Sequence, residues 1–362
     1  MATVAFTGGG SGGHVIPGIA VVDELRERGA HTIVWFGSRQ GIERSIVESM
    51  APDVRYVAVP TGKLRRYFSF RNLIDAFKIP VGVFASLCFL IRLRPAVLFS
   101  KGGFVSVPPV VAAWLLRIPV VTHESDIDPG LATLINARFA RIICVPYEST
   151  VTAFGDKIRK RVVVTGNPVR RDLREGDRDT ANRLLALTPE RPVVLVLGGS
   201  LGSESINRMI DRTLDRLTAY ATIVHHRGRG NVPPYEPTDY RWAEFFGEEY
   251  PHLLARADVA ICRAGAGTLW ELASTGTPSI LIPLGDSASR GDQLRNARLY
   301  SETGAAIVMQ EDGLTEDDFV AAVRSLIRDE RRRERMVSAA HRFGNVDAAV
   351  HIITILESLM SD

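Results

Sequence analysis

Short apolar runs recur along the chain, and each one ends at glycine, proline or polar residues. Apolar runs bounded in this way are typical of buried strands. They predict strands at 4–6, 31–36, 54–59, 97–100, 119–122, 142–145, 162–164, 193–197, 222–225, 243–246, 259–262 and 279–283. Between several of them, apolar residues recur at the three- and four-residue spacing of a helix, as at 15–25, 41–50 and 108–116. This alternation predicts an α/β fold built from doubly wound parallel sheets.

The chain is long for a single hydrophobic core, and its pattern divides it in two. With 362 residues, two domains are expected. The segment Thr165-Gly-Asn-Pro breaks the alternation, and a second series of strands follows it. We therefore predict a first domain at 1–165, a second at 166–340, and a C-terminal helix at 341–362 that packs back on the first domain.

Glycine-rich turns follow the first strand of each predicted domain and one later strand. They read Gly8-Gly-Gly-Ser-Gly-Gly13 before His14, then Gly198-Gly-Ser-Leu-Gly202, then Ala264-Gly-Ala-Gly-Thr268. A strand, a glycine turn and a helix in succession aim backbone N–H groups at an anion. Ligands of such sheets bind at the carboxyl ends of the strands. Two similar domains with these turns therefore predict anion sites that face a cleft.

Two common nucleotide sites do not fit these turns. A dinucleotide site needs an acidic residue at the end of the second strand, where the chain reads Phe36-Gly-Ser-Arg39. No glycine turn ends in Gly-Lys-Ser or Gly-Lys-Thr, as an ATPase phosphate loop does. In contrast, Glu271 lies one helical turn beyond the third glycine turn and could accept hydrogen bonds from both hydroxyls of a ribose. Gln293 lies in a polar loop suited to sugar hydroxyls.

Composition adds a contrast between the two halves. The overall content of 46% hydrophobic and 23% charged residues is ordinary for a globular protein. Residues 1–165 contain 20 Lys and Arg against 12 Asp and Glu, whereas the remainder contains 24 against 29. A basic half predicts that only this half faces an anionic partner. Three distant cysteines predict reduced thiols, and the opening MATVAF runs directly into a strand, so no signal peptide is expected.

Residues 63–95 differ in character from the rest of the first half. Aromatic and aliphatic residues are interleaved with Lys and Arg over 63–78, and an apolar run follows at 79–91. That run is shorter than the roughly 20 residues of a membrane-spanning helix, and it contains Pro80 and Gly82. We expect a buried helix there. The stretch before it could lie on an anionic membrane surface or form a solvated face over core residues.

Taken in chain order, several segments together resemble the MurG family of glycosyltransferases. They are TGGGSGGHVIPGIAV, TGKLRRYF, FSKGGFVSVP, HESDIDPGLA, TGNPVR, GGSLGSESIN, CRAGAGTLWELASTGTPSILIP and SRGDQLRNA. The resemblance covers nearly the whole chain and implies the GT-B fold, in which two Rossmann-like domains face a central cleft. It implies transfer of N-acetylglucosamine from UDP-N-acetylglucosamine to the C4 hydroxyl of the muramoyl sugar of lipid I. The lipid II product would be formed by a peripheral protein at the cytoplasmic face of the cell membrane, for peptidoglycan synthesis.

The resemblance also implies which residues meet the donor, UDP-N-acetylglucosamine. The implied set is Ser11, Gly12, Gly13, Asp126, Arg170, Ser200, Phe246, Ala266, Gly267, Thr268, Leu269, Glu271 and Gln293. It places Glu271 on the ribose and Phe246 near the uracil, so the second domain would hold UDP. The opening glycine loop would then meet the pyrophosphate of the acceptor and the transferring sugar. One departure concerns Asp126, because many family members read His-Glu-Gln-Asn where this chain reads His123-Glu-Ser-Asp126.

The expected chemistry is an inverting displacement that needs a base for the acceptor hydroxyl. His14 is one candidate, since a histidine titrates near neutral pH, and Glu124 is the other. His14 could instead stabilise the pyrophosphate of the acceptor. No carboxylate pair with metal-ligand spacing is apparent in the sequence, so neither an obligatory metal nor a cofactor is expected.

Other functions are compatible with parts of this pattern. One is another GT-B enzyme of UDP-sugars, such as a glycolipid glycosyltransferase or a UDP-N-acetylglucosamine 2-epimerase. Another is a non-catalytic sensor of UDP-sugars. Nucleic-acid binding is not expected, because the basic excess is mixed with aliphatic residues, as in proteins that bind an anionic membrane surface.

Overall fold

A computed structural model of the protein describes residues 2–29, 31–62, 70–199, 202–285, 291–344 and 347–360. The chain divides into two compact units. The first comprises residues 1–170 with 346–362, and the second comprises residues 171–345. The predicted boundaries at 165 and 340 lie five residues before the divisions at 170 and 345.

The first unit contains a parallel sheet with helices on both faces. Its strands are β1 (Thr3–Thr7), β2 (Thr32–Gly37), β3 (Arg55–Ala58), β4 (Val97–Ser100), β5 (Val120–His123), β6 (Ile142–Val145) and β7 (Val162–Val164). They lie in the order β3-β2-β1-β4-β5-β6-β7. Its helices up to residue 170 are α1 (Ile16–Arg28), α2 (Ile42–Met50), α3 (Phe70–Leu93), α4 (Val107–Leu115), α5 (Leu131–Phe139), α6 (Glu148–Val151) and α7 (Asp156–Arg159).

Alternation along the strands places apolar side chains on both faces of this sheet. Val4 and Phe6 of β1 belong to one buried core, together with Trp35 and Phe99. Ala5, between them, belongs to a second core on the other face. Strands that are buried on both faces read as continuous apolar runs, which is why the sequence pattern locates them well.

The second unit repeats this design. Its strands are β8 (Val193–Leu197), β9 (Thr222–His226), β10 (Tyr240–Ala243), β11 (Val259–Cys262), β12 (Ser279–Leu281) and β13 (Ala306–Val308), and they lie in the order β10-β9-β8-β11-β12-β13. Its helices are α8 (Arg178–Leu185), α9 (Glu204–Thr218), α10 (Tyr250–Arg256), α11 (Ala266–Thr275), α12 (Asp292–Glu302), α13 (Glu316–Arg328) and α14 (Glu330–Gly344). The unit has its own apolar core.

The last helix, α15 (Ala348–Met360), returns to the first unit and packs on α1. Its side chains Ile352, Ile353 and Leu356 are fully buried in the same core as Val4 and Phe6. Among the described residues, Glu330–Met360 is long and apolar enough to cross a membrane by length and composition, and 44% of its most apolar 18-residue window is buried. The burial of α15 against α1 and β1 accounts for the apolar character of its sequence.

The prediction of parallel α/β architecture is confirmed, and eleven of the twelve predicted strands lie within two residues of the observed bounds. The predicted strand at 243–246 is wrong: the strand is Tyr240–Ala243, and Phe245 and Phe246 follow it in a loop. Within the described part of the chain, strand β10 pairs only with β9, so its other edge has no partner strand there to favour a continuous apolar pattern. Strand β13 lies in a segment that the sequence pattern does not mark as a strand.

The prediction of a buried helix at 79–91 is only half right. The run is helical, but its residues Phe84 and Ile91 are 69% and 56% exposed. The opposite face, which includes Ser86 and Leu90, is buried. One face of this helix is therefore buried and the other is exposed, although apolar residues occur on both faces.

Candidate active site

The glycine turns lie where the strand order of each sheet reverses. In the first unit β1 and β4 are neighbours, and the chain proceeds from them toward opposite edges of the sheet. In the second unit β8 and β11 are related in the same way. Open parallel sheets bind ligands at the carboxyl ends of strands beside such a reversal. The turns after these four strands are therefore the candidate binding sites of the two units.

The turn after β1 brings Ser11 and His14 together. Gly12–His14 form a short 3-10 helix, and the Oγ of Ser11 lies 2.7 Å from Nδ1 of His14. This hydrogen bond orients the imidazole from its Nδ1 side. The ring lies against the turn after β4, because a Cβ built on Gly103 would be 3.4 Å from Cγ of His14. Gly103 also has φ of +76° and approaches the carbonyl oxygen of Gly9 so closely that no larger residue fits.

A buried carboxylate, which sequence reasoning missed, supports this loop. Glu43 in the first turn of α2 is fully buried. Its Oε2 accepts a hydrogen bond from the backbone N–H of Gly10 at 3.1 Å, and its Oε1 accepts one from the N–H of Ser38 at 2.9 Å. The hydroxyl of Ser38 also donates to Oε1. Glu43 thus fixes the loop after β1 relative to the end of β2.

The turn after β4 begins with a buried lysine. Lys101 is 1% exposed, and its Nζ donates to Oγ of Ser125 at 2.5 Å. The Ser125 hydroxyl in turn donates to Oδ1 of Asn167 at 2.8 Å. Burial lowers the pKa of Lys101 to about 8, although the negative charges of Glu124 and Asp126 oppose this effect. Lys101 belongs to one of the motifs that resemble the MurG family, but the sequence pattern indicates no role for it.

The predicted base candidate Glu124 is held by the backbone of its own loop. Its Oε1 accepts from the N–H groups of Ser125 and Asp126 at 2.7 and 3.1 Å, and its Oε2 accepts from the N–H of Gly130 at 2.9 Å. The side chain is 4% exposed. Three backbone amides therefore occupy most of the acceptor directions of this carboxylate.

The motif Thr165-Gly-Asn-Pro-Val-Arg170 is anchored to the same loop. Nε2 of His123, at the end of β5, lies 2.9 Å from the carbonyl oxygen of Gly166, and Asn167 is bound to Ser125 as described. Burial, followed by the charge of Lys101, lowers the pKa of His123 well below its usual value, so this imidazole is neutral. Arg170, a predicted donor contact, is half-buried three residues beyond Asn167.

In the second unit, helix α11 presents the turn after β11. The first three N–H groups of an α-helix have no partner within the helix, and here they belong to Ala266, Gly267 and Thr268. N–H groups of this kind, at the positive end of the helix dipole, are suited to binding an anion. Leu269 differs, since its side chain is fully buried and its N–H bonds to the carbonyl of Gly265. We therefore place Leu269 in the supporting core rather than against a ligand.

Three hydrogen bonds stabilise the residues around this turn. The hydroxyl of Tyr250 donates to Oε2 of Glu271 at 2.8 Å, and Oε1 of Gln293 accepts from the N–H of Leu284 at 3.0 Å. Asn296 of α12 donates to the carbonyl of Ala264 at 3.3 Å. The side chains of Glu271 and Gln293 are thus each oriented by a hydrogen bond within the second unit.

Arg263 connects the turns after β8 and β11. Its guanidinium donates to the hydroxyls of Ser203 and Ser205 at 3.1 and 2.6 Å, and it forms an ion pair of 2.6 Å with Glu311. Because Ser203 precedes α9, this arginine fixes the start of that helix beside the start of α11. Ser200 of the same turn and residues 63–69 of the basic stretch lie outside the described residues.

Phe246 lies in an aromatic cluster at the end of β9. It is 6% exposed, and its ring is edge-on to that of His226 with centroids 6.3 Å apart. The neighbouring Phe245 is 68% exposed and is also edge-on to His226, at 5.5 Å. Burial lowers the pKa of His226. Aromatic side chains of this kind are suited to packing against a nucleobase.

The chain matches the sequence models of two protein-domain families. Residues 4–145 match the glycosyltransferase family 28 N-terminal domain, and residues 193–352 match the glycosyltransferase family 28 C-terminal domain. Together these matches cover most of the chain.

Curated relatives match over nearly the full length. The chain is 38% identical to a protein of Treponema denticola, covering 100% of this chain and 98% of that protein. It is 42% identical to one of Treponema pallidum, covering 99% and 96%. It is 39% identical to one of Legionella pneumophila, covering 97% and 96%. Each of these proteins is named UDP-N-acetylglucosamine–N-acetylmuramyl-(pentapeptide) pyrophosphoryl-undecaprenol N-acetylglucosamine transferase.

Solved structures share the fold. MurG of Acinetobacter baumannii superposes with a TM-score of 0.74 at 24% identity, covering 99% of this chain and 100% of that one. The UDP-GlcNAc 2-epimerase of Neisseria meningitidis superposes with a TM-score of 0.69 at 13% identity, covering 99% and 100%. At these identities the likeness shows the GT-B fold alone, which an epimerase shares with a transferase.

Proposed function

The chain belongs to the MurG family within glycosyltransferase family 28, and we propose from this membership that it transfers N-acetylglucosamine from UDP-N-acetylglucosamine to lipid I. The acceptor is the C4 hydroxyl of the muramoyl sugar, and the products are lipid II and UDP. The observation that carries this proposal is identity of 38–42% to named relatives over nearly the whole chain. The reaction is a step of peptidoglycan synthesis.

We assign the nucleotide of the donor to the second unit. The first-turn N–H groups of α11 suit the diphosphate, Glu271 the ribose, and Phe246 the uracil. Gln293, oriented by Leu284, suits a sugar hydroxyl. Arg170 and Ser200 complete the set that the family resemblance implies. Fixed amides and a cation aimed at the leaving diphosphate offset the negative charge that develops there.

The first unit supplies the groups around the reacting hydroxyl. The acceptor oxygen attacks the anomeric carbon, the bond from that carbon to the β-phosphate oxygen breaks, and its electron pair leaves with UDP. The hydroxyl proton passes to a base. We assign that base to His14, because Ser11 orients its ring from Nδ1 and so fixes the direction of Nε2. Three backbone amides compete for the oxygens of Glu124, which we assign to positioning the loop.

We further propose that the first unit docks on the cytoplasmic face of the cell membrane. Helices α3 and α4 expose Phe77, Val81, Phe84, Ile91, Trp114 and Leu115. Exposed apolar side chains of this number mark an interaction surface rather than an ordinary solvated face. The exposed cations Lys78, Arg92 and Arg117 belong to the same two helices or follow them, which suits anionic lipid headgroups. The lipid-linked acceptor lies in such a surface.

One assay tests the reaction and separates it from its rivals. Radiolabelled UDP-N-acetylglucosamine is incubated with lipid I, and lipid II and UDP are quantified. Acceptor-dependent label in lipid II with equal release of UDP supports the proposal. Conversion of the donor without acceptor would indicate an epimerase, and donor binding without UDP release would indicate a sensor.

A further inference from the structure

Lys101 links three segments of the first unit through hydrogen bonds. Its Nζ contacts Ser125 of the loop after β5, and Ser125 contacts Asn167 of the motif that carries Arg170. Lys101 also begins the turn in which Gly102 and Gly103 face the ring of His14, since a Cβ built on either would lie 3.5 or 3.4 Å from that ring. Lys101 is thus linked through its backbone to the turn that faces His14, and through hydrogen bonds to the motif that carries Arg170.

The charged groups around Lys101 are mainly acidic. The carboxylates of Glu124 and Asp126 on the loop after β5 favour its ammonium form. His123 at the end of β5 is neutral. Burial raises the pKa of Cys144 to about 12, so this thiol is uncharged at neutral pH. The ammonium group of Lys101 is therefore a positive charge that interacts favourably with two nearby carboxylates.

Lysine is an unusual choice in this protein. Only five of its 44 basic residues (Lys and Arg) are lysines, at 63, 78, 101, 157 and 160. Arginine remains charged at every accessible pH, whereas a buried lysine can lose its proton. When it does so, the neutral amine no longer balances the carboxylates.

We propose that Lys101, in its charged form, is the positioning residue that fixes the loop 123–126 and the motif 165–170 for transfer. It acts through Ser125 and Asn167 and does not itself touch a substrate. This inference rests on the proposed function, since it concerns the geometry of that site. Transfer then requires a protonated lysine in a cluster whose surroundings favour deprotonation near pH 8.

The dependence on pH has opposite signs for activity and for stability. Activity falls as pH rises through about 8, by about tenfold for each further unit, because only the protonated fraction is competent. Stability behaves differently, because the folded pKa of Lys101 lies below its unfolded value. The unfolded chain then binds more protons between those two values, so this group contributes rising stability with pH. The titration of Lys101 in the folded protein therefore predicts a loss of activity above pH 8 without a loss of stability from this group.

The experiment measures kcat and KM between pH 6 and 10 for the wild type and four variants. K101M removes the charge in a side chain of similar length, K101R retains a charge that does not titrate, and S125A removes the hydrogen-bonded partner. K157M is the matched control, since Lys157 is exposed on α7. We expect K101M and S125A to lower kcat by about 10- to 100-fold, as small displacements of reacting groups do. K101R should regain part of kcat and lose the alkaline decline.

A second readout does not depend on activity. With [ε-¹³C]lysine, the five lysines give five NMR signals, and the signal absent from K101M should titrate near pH 8. A normal lysine titration for that signal, or wild-type kcat and pH profile in K101M, would overturn the inference. No transfer by the wild type would instead refute the proposed function and leave the NMR result standing.

Discussion

His14 is the residue whose replacement distinguishes the two base candidates. His14→Ala should lower turnover by about 100-fold or more, the usual contribution of a general base. Glu124→Gln should also lower turnover, but with an unchanged acidic limb of the pH profile, because Glu124 positions the loop. His351→Ala, on the exposed side of α15, is the control and should behave as wild type. Steady-state UDP release measures all three, and near-normal turnover of His14→Ala would refute its role.

Glu43 offers a test of loop support. Glu43→Gln replaces one carboxylate oxygen by an NH₂ group, which then faces the N–H of Gly10 or of Ser38. Leaving one buried donor unsatisfied costs about 1–3 kcal/mol of unfolding free energy. Thermal unfolding should show this loss, together with a lower kcat/KM. Glu48→Gln, which affects only an exposed ion pair with Arg44, should change neither, and equal effects would contradict the assignment.

The sequence identifies residues of the site that belong to continuous motifs and misses those that act across the fold. Ser11 and His14 are three residues apart, so one glycine-rich segment marks both. Glu43 is 33 residues from Gly10, and Lys101 is 24 residues from Ser125. These contacts exist only because β1, β2, β4 and β5 lie side by side. A glutamate in a helix and a lysine before two glycines carry no local signal of burial.

Among the elements, helix α3 shows that an apolar sequence pattern does not always correspond to a buried face. Its apolar run predicts burial on all sides, yet burial requires a neighbour for each face. Helix α4 covers the face that contains Gly82, where a Cβ would lie 3.1 Å from Cβ of Pro108. On the other face, Phe77, Phe84 and Ile91 are exposed. The sequence therefore predicts the helix but not its partner, which we assign to lipid.

Removing this exposed face should weaken membrane binding. The double variant F77S/F84S is expected to lower binding to vesicles with anionic lipids, because each buried Phe contributes about 1.5–3 kcal/mol. Vesicle sedimentation measures the effect. V232S is the matched control, since Val232 is 67% exposed on the second unit, outside the proposed surface. Equal binding of the double variant and wild type would exclude α3 from the membrane contact.

At the scale of the whole molecule, the chain consists of two similar sheets, and its last helix belongs to the first. Both sheets reverse strand order beside glycine turns, at β1 and β4 and at β8 and β11. The excess of basic residues lies in the first half, where the proposed membrane surface is. Helix α15 follows α14 of the second unit, yet its buried side chains complete the core beneath β1. The loop that carries His14 thus depends on residues near the opposite end of the chain.

This arrangement predicts that a change at the C-terminus acts at the N-terminus. Leu356→Ala should cost about 2–5 kcal/mol of unfolding free energy, the usual range for a buried leucine. Hydrogen exchange should show the loss of protection in β1 and α1, since Leu356 packs in their core, and not in β8 or α11. Thr354→Ala, on the exposed side of the same helix, should leave exchange unchanged. If protection falls equally in both units, they unfold as one cooperative body, and α15 does not stabilise the first unit selectively.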